Sequence, residues 1–170
     1  MLYMRYSLYP LLLQIPKCMY VYRPEYRHSM VQIIPNYSLF DCNRDEDLFR
    51  YNTVYRRKFK NDVYMKNMVD NHHIIPKQFK NHPLIRSLDV DVGCSKNILF
   101  MRNRYSKEYF NDDSYIYHES HNKYNKFVDH ELQIMSSIED KEVKKYQFTL
   151  FFMYLQQGLV ENDPYIKSLF

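Results

Sequence analysis

Two histidines stand side by side in the segment NHHIIPKQF, which covers residues 71–79. His72 and His73 precede a short β-branched run that ends at Pro76, and this pattern predicts a short strand over residues 72–76. Neighbouring side chains on a strand point to opposite faces. We therefore expect the two imidazoles to have different surroundings and different tasks.

Other residues that could take part in the same chemistry follow later in the chain. Asn97 opens a second predicted strand, NILFM at 97–101, after a long connection. His121 and Asn125 are four residues apart at the head of a predicted helix, so they share one helix face. The predicted order is strand, loop, strand, loop, helix, and two short strands joined in this way can pair antiparallel.

A strand–strand–helix unit that carries histidines suits the hydrolysis of a phosphodiester bond with one metal ion. The reaction needs a base that takes a proton from water, and the pKa of histidine lies near neutrality. It also needs a cation that binds the scissile phosphate and stabilises the departing 3′ oxygen. One histidine of the pair would turn toward the helix as a metal ligand, and its neighbour would act as the base.

The elements that position these residues predict an α+β protein. Residues 1–45, interrupted by four prolines, are interpreted as an irregular, extended N-terminal extension, and residues 46–170 as a single domain. The stretch 41–70 is expected to be helical in part. The connection 77–96 is expected to contain a helical turn, whereas the polar and aromatic stretch 102–119 shows little periodicity.

Two helices are predicted in the last third of the chain. Ser120 is a good N-cap for the first, whose apolar residues recur at helical spacing and predict a core face. That stripe consists of Tyr124, Phe127, Val128, Leu132 and Met135. The apolar stretch 148–155 is too short to span a membrane. We interpret it as a buried C-terminal helix, with a helix that binds a protein partner as the alternative.

Three ordered pieces of this sequence resemble the AHH nucleases of the HNH, or His-Me finger, superfamily. They are NHHIIPKQFKNHPLI, then NILFM, then HESHNKYNKFV, and together they cover roughly residues 70–135. The resemblance implies a ββα-metal finger as the core of the domain. Three departures stand out: Asn71 occupies the usual alanine position, Glu119-Ser120 replaces the usual Gly-Ser before the last histidine, and the loop from Asn97 to His118 is long.

The resemblance also implies a role for each residue of the pattern. His73 would be the general base, and Asn97 would orient its ring through a hydrogen bond. His72 and His121 would be ligands of one divalent ion, which would be Mg²⁺, Mn²⁺ or Zn²⁺.

The last ligand position is left open between two residues. His118 matches the first histidine of the later pair, which implies a ligand or a phosphate contact. Asn125 is the alternative ligand, because it shares a helix face with His121.

Charge and composition favour a polyanionic partner, most simply DNA. The 170 residues carry a formal charge of +4, and the pI is about 8.8. Basic residues near the motif are predicted to bind nucleic acid: Lys77, Lys80, Arg102, Arg104 and Lys123. The 18 tyrosines, together with the absence of alanine, indicate an AT-rich source such as the genome of a large DNA virus. We expect the tyrosines of 102–119 to pack rather than to stack on bases.

The three cysteines lie far apart and form no CxxC pair. This spacing argues against a structural zinc site, and the odd count argues against a disulfide framework. We therefore expect an intracellular protein of the cytoplasm or nucleus, including those of a virus-infected cell, with no signal peptide or membrane span.

The expected function is a metal-dependent endonuclease that cleaves DNA, with RNA left open as a substrate. The alternative is a catalytically inactive protein of the same fold that binds nucleic acid or a host protein. A toxin-type effector nuclease is a third hypothesis, but no secretion module in the sequence supports it.

Overall fold

The computed structural model describes residues 39–63 and 67–170. Most of the predicted N-terminal extension therefore lies outside the described residues. Within the described part of the chain, the first α-helix, α1, spans Val54–Val63, in the stretch that was expected to be partly helical. A 3-10 turn at Leu39–Asp41 precedes it.

Two short strands form an antiparallel sheet, as predicted. Strand β1 spans Val69–His73 and strand β2 spans Ile98–Arg102, with His73 opposite Ile98 and Val69 opposite Arg102. Strand β1 therefore begins and ends about three residues earlier than predicted. The β-branched run after the histidines leaves the ladder and enters the core instead, since Ile74 and Ile75 are fully buried.

The connection between the strands contains the predicted helical turn. It has a 3-10 helix at Lys77–Asn81, helix α2 at Pro83–Ser87 and a second 3-10 helix at Ser95–Asn97. His82 caps α2, because its Nδ1 accepts a hydrogen bond from the backbone of Leu84 at 3.2 Å.

Helix α3, at Arg104–Phe110, was not predicted. Asn103 caps its start by accepting a hydrogen bond from the backbone N–H of Ser106 at 3.2 Å. Asn111 ends it in the left-handed conformation, with φ of 48°. The segment is polar and lacks an apolar stripe, so its caps are the only local signals of a helix.

Helix α4 spans Asn122–Ser136 and presents the predicted stripe to the core. Tyr124, Val128, Leu132 and Met135 are buried, and Phe127 is partly buried. The predicted N-cap is wrong by one residue: His121 occupies the cap position, and its side chain makes no capping hydrogen bond. This shift leaves the His121 side chain available for other contacts.

Helix α5 spans Lys141–Glu161, and helix α6 spans Pro164–Ser168. Phe148, Phe152 and Leu155 of α5 are buried in the core of this chain, which confirms the buried-helix interpretation. The alternative, that this helix binds a protein partner, stays a prediction. Among the described residues, no helix is both long and apolar enough to cross a membrane.

The mixture of helices with a small antiparallel sheet confirms the α+β class. The argument against disulfides, however, is wrong for one pair, because Cys42 and Cys94 form a disulfide. Asp91 beside it accepts a hydrogen bond from Arg50 at 2.5 Å. The segment before α1 is thereby attached to the loop that precedes β2.

The disulfide yields a stability prediction. The bond joins residues 52 apart in sequence, so Cys42→Ser should lower the free energy of unfolding by about 3–4 kcal/mol through the entropy of the unfolded chain. Denaturant titration without reductant measures this change. Cys18→Ser is the control, because Cys18 has no part in the bond. Equal stabilities of the two variants, or free thiols at both positions by alkylation, would contradict the prediction.

Candidate active site

His72 lies at the centre of a cluster of aromatic rings. It is the fourth residue of β1 and is only 1% exposed. Its ring centroid lies 5.3 Å from that of Tyr124 on α4. Burial holds the pKa of His72 well below its ordinary value, and the neighbouring imidazoles add to this effect. The ring is therefore neutral at physiological pH, which is the form of imidazole that binds a metal.

The structure brings three of the predicted ligands together. His72, His118 and His121 each offer a nitrogen, and these atoms lie within 4.8 Å of one another. The ring centroids of His118 and His121 are 5.2 Å apart. His118 and His121, which lie 46 and 49 positions after His72 in the sequence, thus converge on it in the fold.

The hydrogen bonding of this cluster fits a metal ion. Neither ring nitrogen of His72 has a hydrogen-bond partner among the described residues, and the same holds for Nδ1 of His121 and Oδ1 of Asn125. Buried polar atoms are normally satisfied, so each such atom asks for an explanation. Imidazole nitrogens with an amide oxygen are a donor set that divalent metal ions accept. These side chains therefore fit the divalent metal ion that the sequence pattern implies.

His118 is held in place by its backbone and by a carboxylate. Its backbone N–H donates to the carbonyl oxygen of Arg102 at the end of β2, over 2.7 Å. Its Nδ1 lies 3.7 Å from Oδ2 of Asp70. Burial and the neighbouring His121 lower the pKa of His118, whereas Asp70 opposes that change. A carboxylate beside a ring nitrogen is the arrangement that orients a histidine ligand toward a metal.

His73 has different surroundings, as the alternation along β1 predicts. Its ring contacts that of Tyr51 edge to face, with centroids 4.6 Å apart, and Nζ of Lys77 lies 4.8 Å from the centre of the Tyr51 ring. Burial and then the charges of Lys77 and Arg56 lower the pKa of His73 to about 4. The imidazole is therefore neutral at pH 7 and able to accept a proton.

Asn97 is fully buried, but its amide bonds to backbone groups. Its Nδ2 donates to the carbonyl oxygens of Ile75 and Val92, over 2.9 and 2.8 Å, and its Oδ1 accepts from the N–H of Ile75 over 2.8 Å. Both amide hydrogens are thereby used. The prediction that Asn97 hydrogen-bonds the His73 ring is wrong. The amide instead bonds the backbone of Ile75, two residues after His73.

The residues predicted to bind nucleic acid are two arginines that contact other side chains and three exposed lysines. Arg102 is only 6% exposed, and its guanidinium lies 3.8 Å from the centre of the Tyr115 ring, so its burial contradicts a phosphate contact. Arg104 is exposed but bonds Glu108 at 2.8 Å. The remaining residues, Lys77, Lys80 and Lys123, are exposed. Of the tyrosines of this stretch, Tyr115 and Tyr117 pack as expected. The expectation is wrong for Tyr105 and Tyr109, which are exposed.

Sequence reasoning missed three residues that contact the histidines. Tyr51 lies against His73, Asp70 pairs with His118, and the ring of Phe170 packs on His72. Asp70 alone had a local signal, since it lies two residues before His72 on the same strand face. Tyr51 and Phe170 are distant in sequence, and no spacing rule connects them to the motif.

Comparison with known proteins gives one family match. The model of the AHH family, described as a nuclease family of the HNH/ENDO VII superfamily with conserved AHH, matches residues 54–151. That range is more than half of the chain and contains all of the histidines discussed above. Searches of curated proteins and of solved structures find no match.

The residue that departs from the family's AHH triplet has a structural partner. Asn71 stands at the alanine position, and its Oδ1 accepts a hydrogen bond from Nε of Arg56 at 2.8 Å. Arg56 is fully buried on α1 and also donates to the carbonyl oxygen of Ile98 at 3.0 Å. Asn71 therefore helps to attach α1 to β1, while the bond to Ile98 attaches the same helix to β2. Asn71 lies beside the histidines without replacing one.

Asn97→Ala tests the role that its hydrogen bonds indicate. The variant should lose about 2–4 kcal/mol of unfolding free energy, because two buried carbonyls and one N–H lose their partner. Asn125→Ala is the matched control, since its Oδ1 has no partner among the described residues, and it should change stability by less than about 1 kcal/mol. Equal denaturation curves for the Asn97 variant and the unaltered protein would contradict this role.

Proposed function

The chain belongs to the AHH nuclease family of the HNH/ENDO VII superfamily, and on this basis we propose that it is a metal-dependent endonuclease that hydrolyses phosphodiester bonds of DNA. In this proposal β1, β2 and α4 form a ββα-metal finger. A histidine base and a single divalent ion carry out the reaction. The observation that carries the proposal is the convergence of three imidazoles beside a fourth, neutral one.

His72, His118 and His121 would hold the ion, and Asn125 is the candidate for a further ligand because its Oδ1 is buried without a partner among the described residues. When bound, the ion supplies positive charge to the scissile phosphate and to the departing 3′ oxygen. Asp70 would keep the His118 ring oriented toward the cluster.

His73 would take the proton from the attacking water. Its contacts lie on the side of Tyr51, whereas His72 contacts the other two imidazoles, so the pair divides between base and ligand. Asn97 acts as a positioning residue, because its hydrogen bonds hold the backbone that follows His73. Proton transfer to a placed imidazole typically contributes about 100-fold to 10,000-fold in rate.

Exposed lysines around the site would bind the phosphates on either side of the cleaved bond. Lys77 contacts Tyr51, whose ring lies against that of His73, and Lys80 is in the same 3-10 helix. Lys123 lies in the first turn of α4. Binding that depends on such contacts weakens steeply as salt rises.

Plasmid cleavage by the unaltered protein and by the His73→Ala variant tests the proposed reaction. We expect the unaltered protein to nick supercoiled DNA with Mg²⁺, Mn²⁺ or Zn²⁺ and to stop when EDTA is added. His73→Ala should lose at least about 100-fold in rate, because the base is gone. His130→Ala is the control, since His130 is exposed on α4 and is not among the proposed ligands.

Two outcomes of that experiment would count against the enzyme. Equal rates for His73→Ala and the control would overturn the assignment of the base. DNA binding without cleavage in any of the three metals would favour the inactive, nucleic-acid-binding alternative. Parallel assays with an RNA of the same sequence decide between the two substrates.

Metal titration tests the ligands separately from catalysis. The His72→Ala and His121→Ala variants should each bind Co²⁺ or Zn²⁺ more than about tenfold more weakly by calorimetry, because each removes a nitrogen donor. His130→Ala should bind as the unaltered protein does. Unchanged affinity in both ligand variants would show that the imidazoles do not share an ion. Comparing His118→Ala with Asn125→Ala identifies the remaining ligand.

A further inference from the structure

Residues 162–170 form an arm that lies outside the family match yet contacts the histidine cluster. The arm consists of Asn162, Asp163, helix α6 and the last two residues, Leu169 and Phe170. The matched range ends at residue 151, within α5. The family match therefore does not explain what this arm contributes to the site.

Several contacts hold the arm against the rest of the fold. Ile166 is fully buried on Gly158 of α5, where an added Cβ would lie 2.6 Å from Cγ1 of Ile166. Only glycine allows the two helices to approach this closely. Oδ1 of Asn162 accepts the backbone N–H of Ile116 at 2.8 Å, and Nζ of Lys167 donates to the backbone carbonyl of Asp113.

The arm also bonds directly to the helix turn that carries a ligand. The carbonyl oxygen of Leu169 accepts the backbone N–H of Tyr124 at 3.1 Å. This N–H is in the first turn of α4, where helix geometry leaves the amide without a partner in its own helix. His121, the N-cap of the same helix, makes no side-chain capping bond. The arm thus supplies the acceptor for the Tyr124 N–H, which the His121 side chain does not bond.

The bond places the ring of Phe170 on the cluster. Its centroid lies 5.4 Å from that of His72, 5.9 Å from that of His121 and 5.1 Å from that of Tyr124. A histidine ligand is usually oriented by a hydrogen bond to its second nitrogen. Neither nitrogen of His72 has such a partner among the described residues. Ring contacts are therefore what orients His72.

We propose that Phe170 is a positioning residue for the metal ligands, which holds the His72 and His121 rings in the orientation that binds the ion. This inference rests on the proposed metal site. The ring covers one side of the cluster, where His72 is buried, and leaves open the side of His118, whose side chain is 24% exposed.

Cobalt titration of two variants tests this role. Phe170→Ala should bind Co²⁺ about tenfold more weakly and show an altered visible spectrum, because the freed imidazoles must be ordered on binding. Phe170→Leu fills the space without a ring, so it should stay folded and show a smaller loss with a spectral change in the same direction. Thermal melts of the metal-free proteins report whether each variant is folded.

Tyr165→Ala is the matched control, because it removes an aromatic ring from the same arm. Tyr165 is 51% exposed and contacts Phe127, which lies in the core-facing stripe of α4. Its Co²⁺ affinity should stay within about twofold of that of the unaltered protein. If folded Phe170 variants bind Co²⁺ with unaltered affinity and spectrum, the positioning role is overturned while the metal site stands. If the unaltered protein binds no Co²⁺, the metal site and this inference both fail.

Discussion

The hydrogen bond between Tyr124 and the end of β1 is the constraint on which the histidine cluster depends. The hydroxyl of Tyr124 donates to the carbonyl oxygen of Ile74 at 2.5 Å, and the side chain is fully buried. Burial raises the pKa of this hydroxyl well above its ordinary value, so it remains a donor. Since Tyr124 lies three residues after His121 and Ile74 lies two after His72, the bond holds a helix start and a strand end together.

The paired histidines then acquire separate surroundings from the strand that carries them. His72 faces Tyr124 and the other imidazoles, while His73 faces Tyr51. The three hydrogen bonds of Asn97 hold the backbone just beyond the pair, at the point where it leaves the ladder. Because they lie on opposite faces of the strand, His72 and His73 cannot line one pocket together. The same arrangement suits the proposed mechanism, in which His72 binds a metal ion and His73 accepts a proton.

Two segments outside the family match complete the surroundings of these rings. The segment before α1 carries Tyr51 and is attached through the Cys42–Cys94 disulfide. The arm at residues 162–170 carries Phe170 to the opposite ring of the pair. Tyr51 supplies an aromatic contact to His73. Phe170 supplies one to His72 and another to His121. The matched region provides the polar groups, and the two segments outside it provide aromatic rings that pack on them.

The sequence by itself determined most of the local elements, with α3 as the exception, and the types of residue proposed to perform chemistry. Apolar periodicity predicted α4, the paired strands followed from their composition, and the order of His72, His73 and His121 indicated the site. Only the tertiary structure decided that Arg102 is buried, that Asn97 bonds backbone, and that Cys42 meets Cys94. The reason is physical: periodicity and capping act over a few residues, whereas these contacts join distant segments whose meeting depends on how the whole core packs.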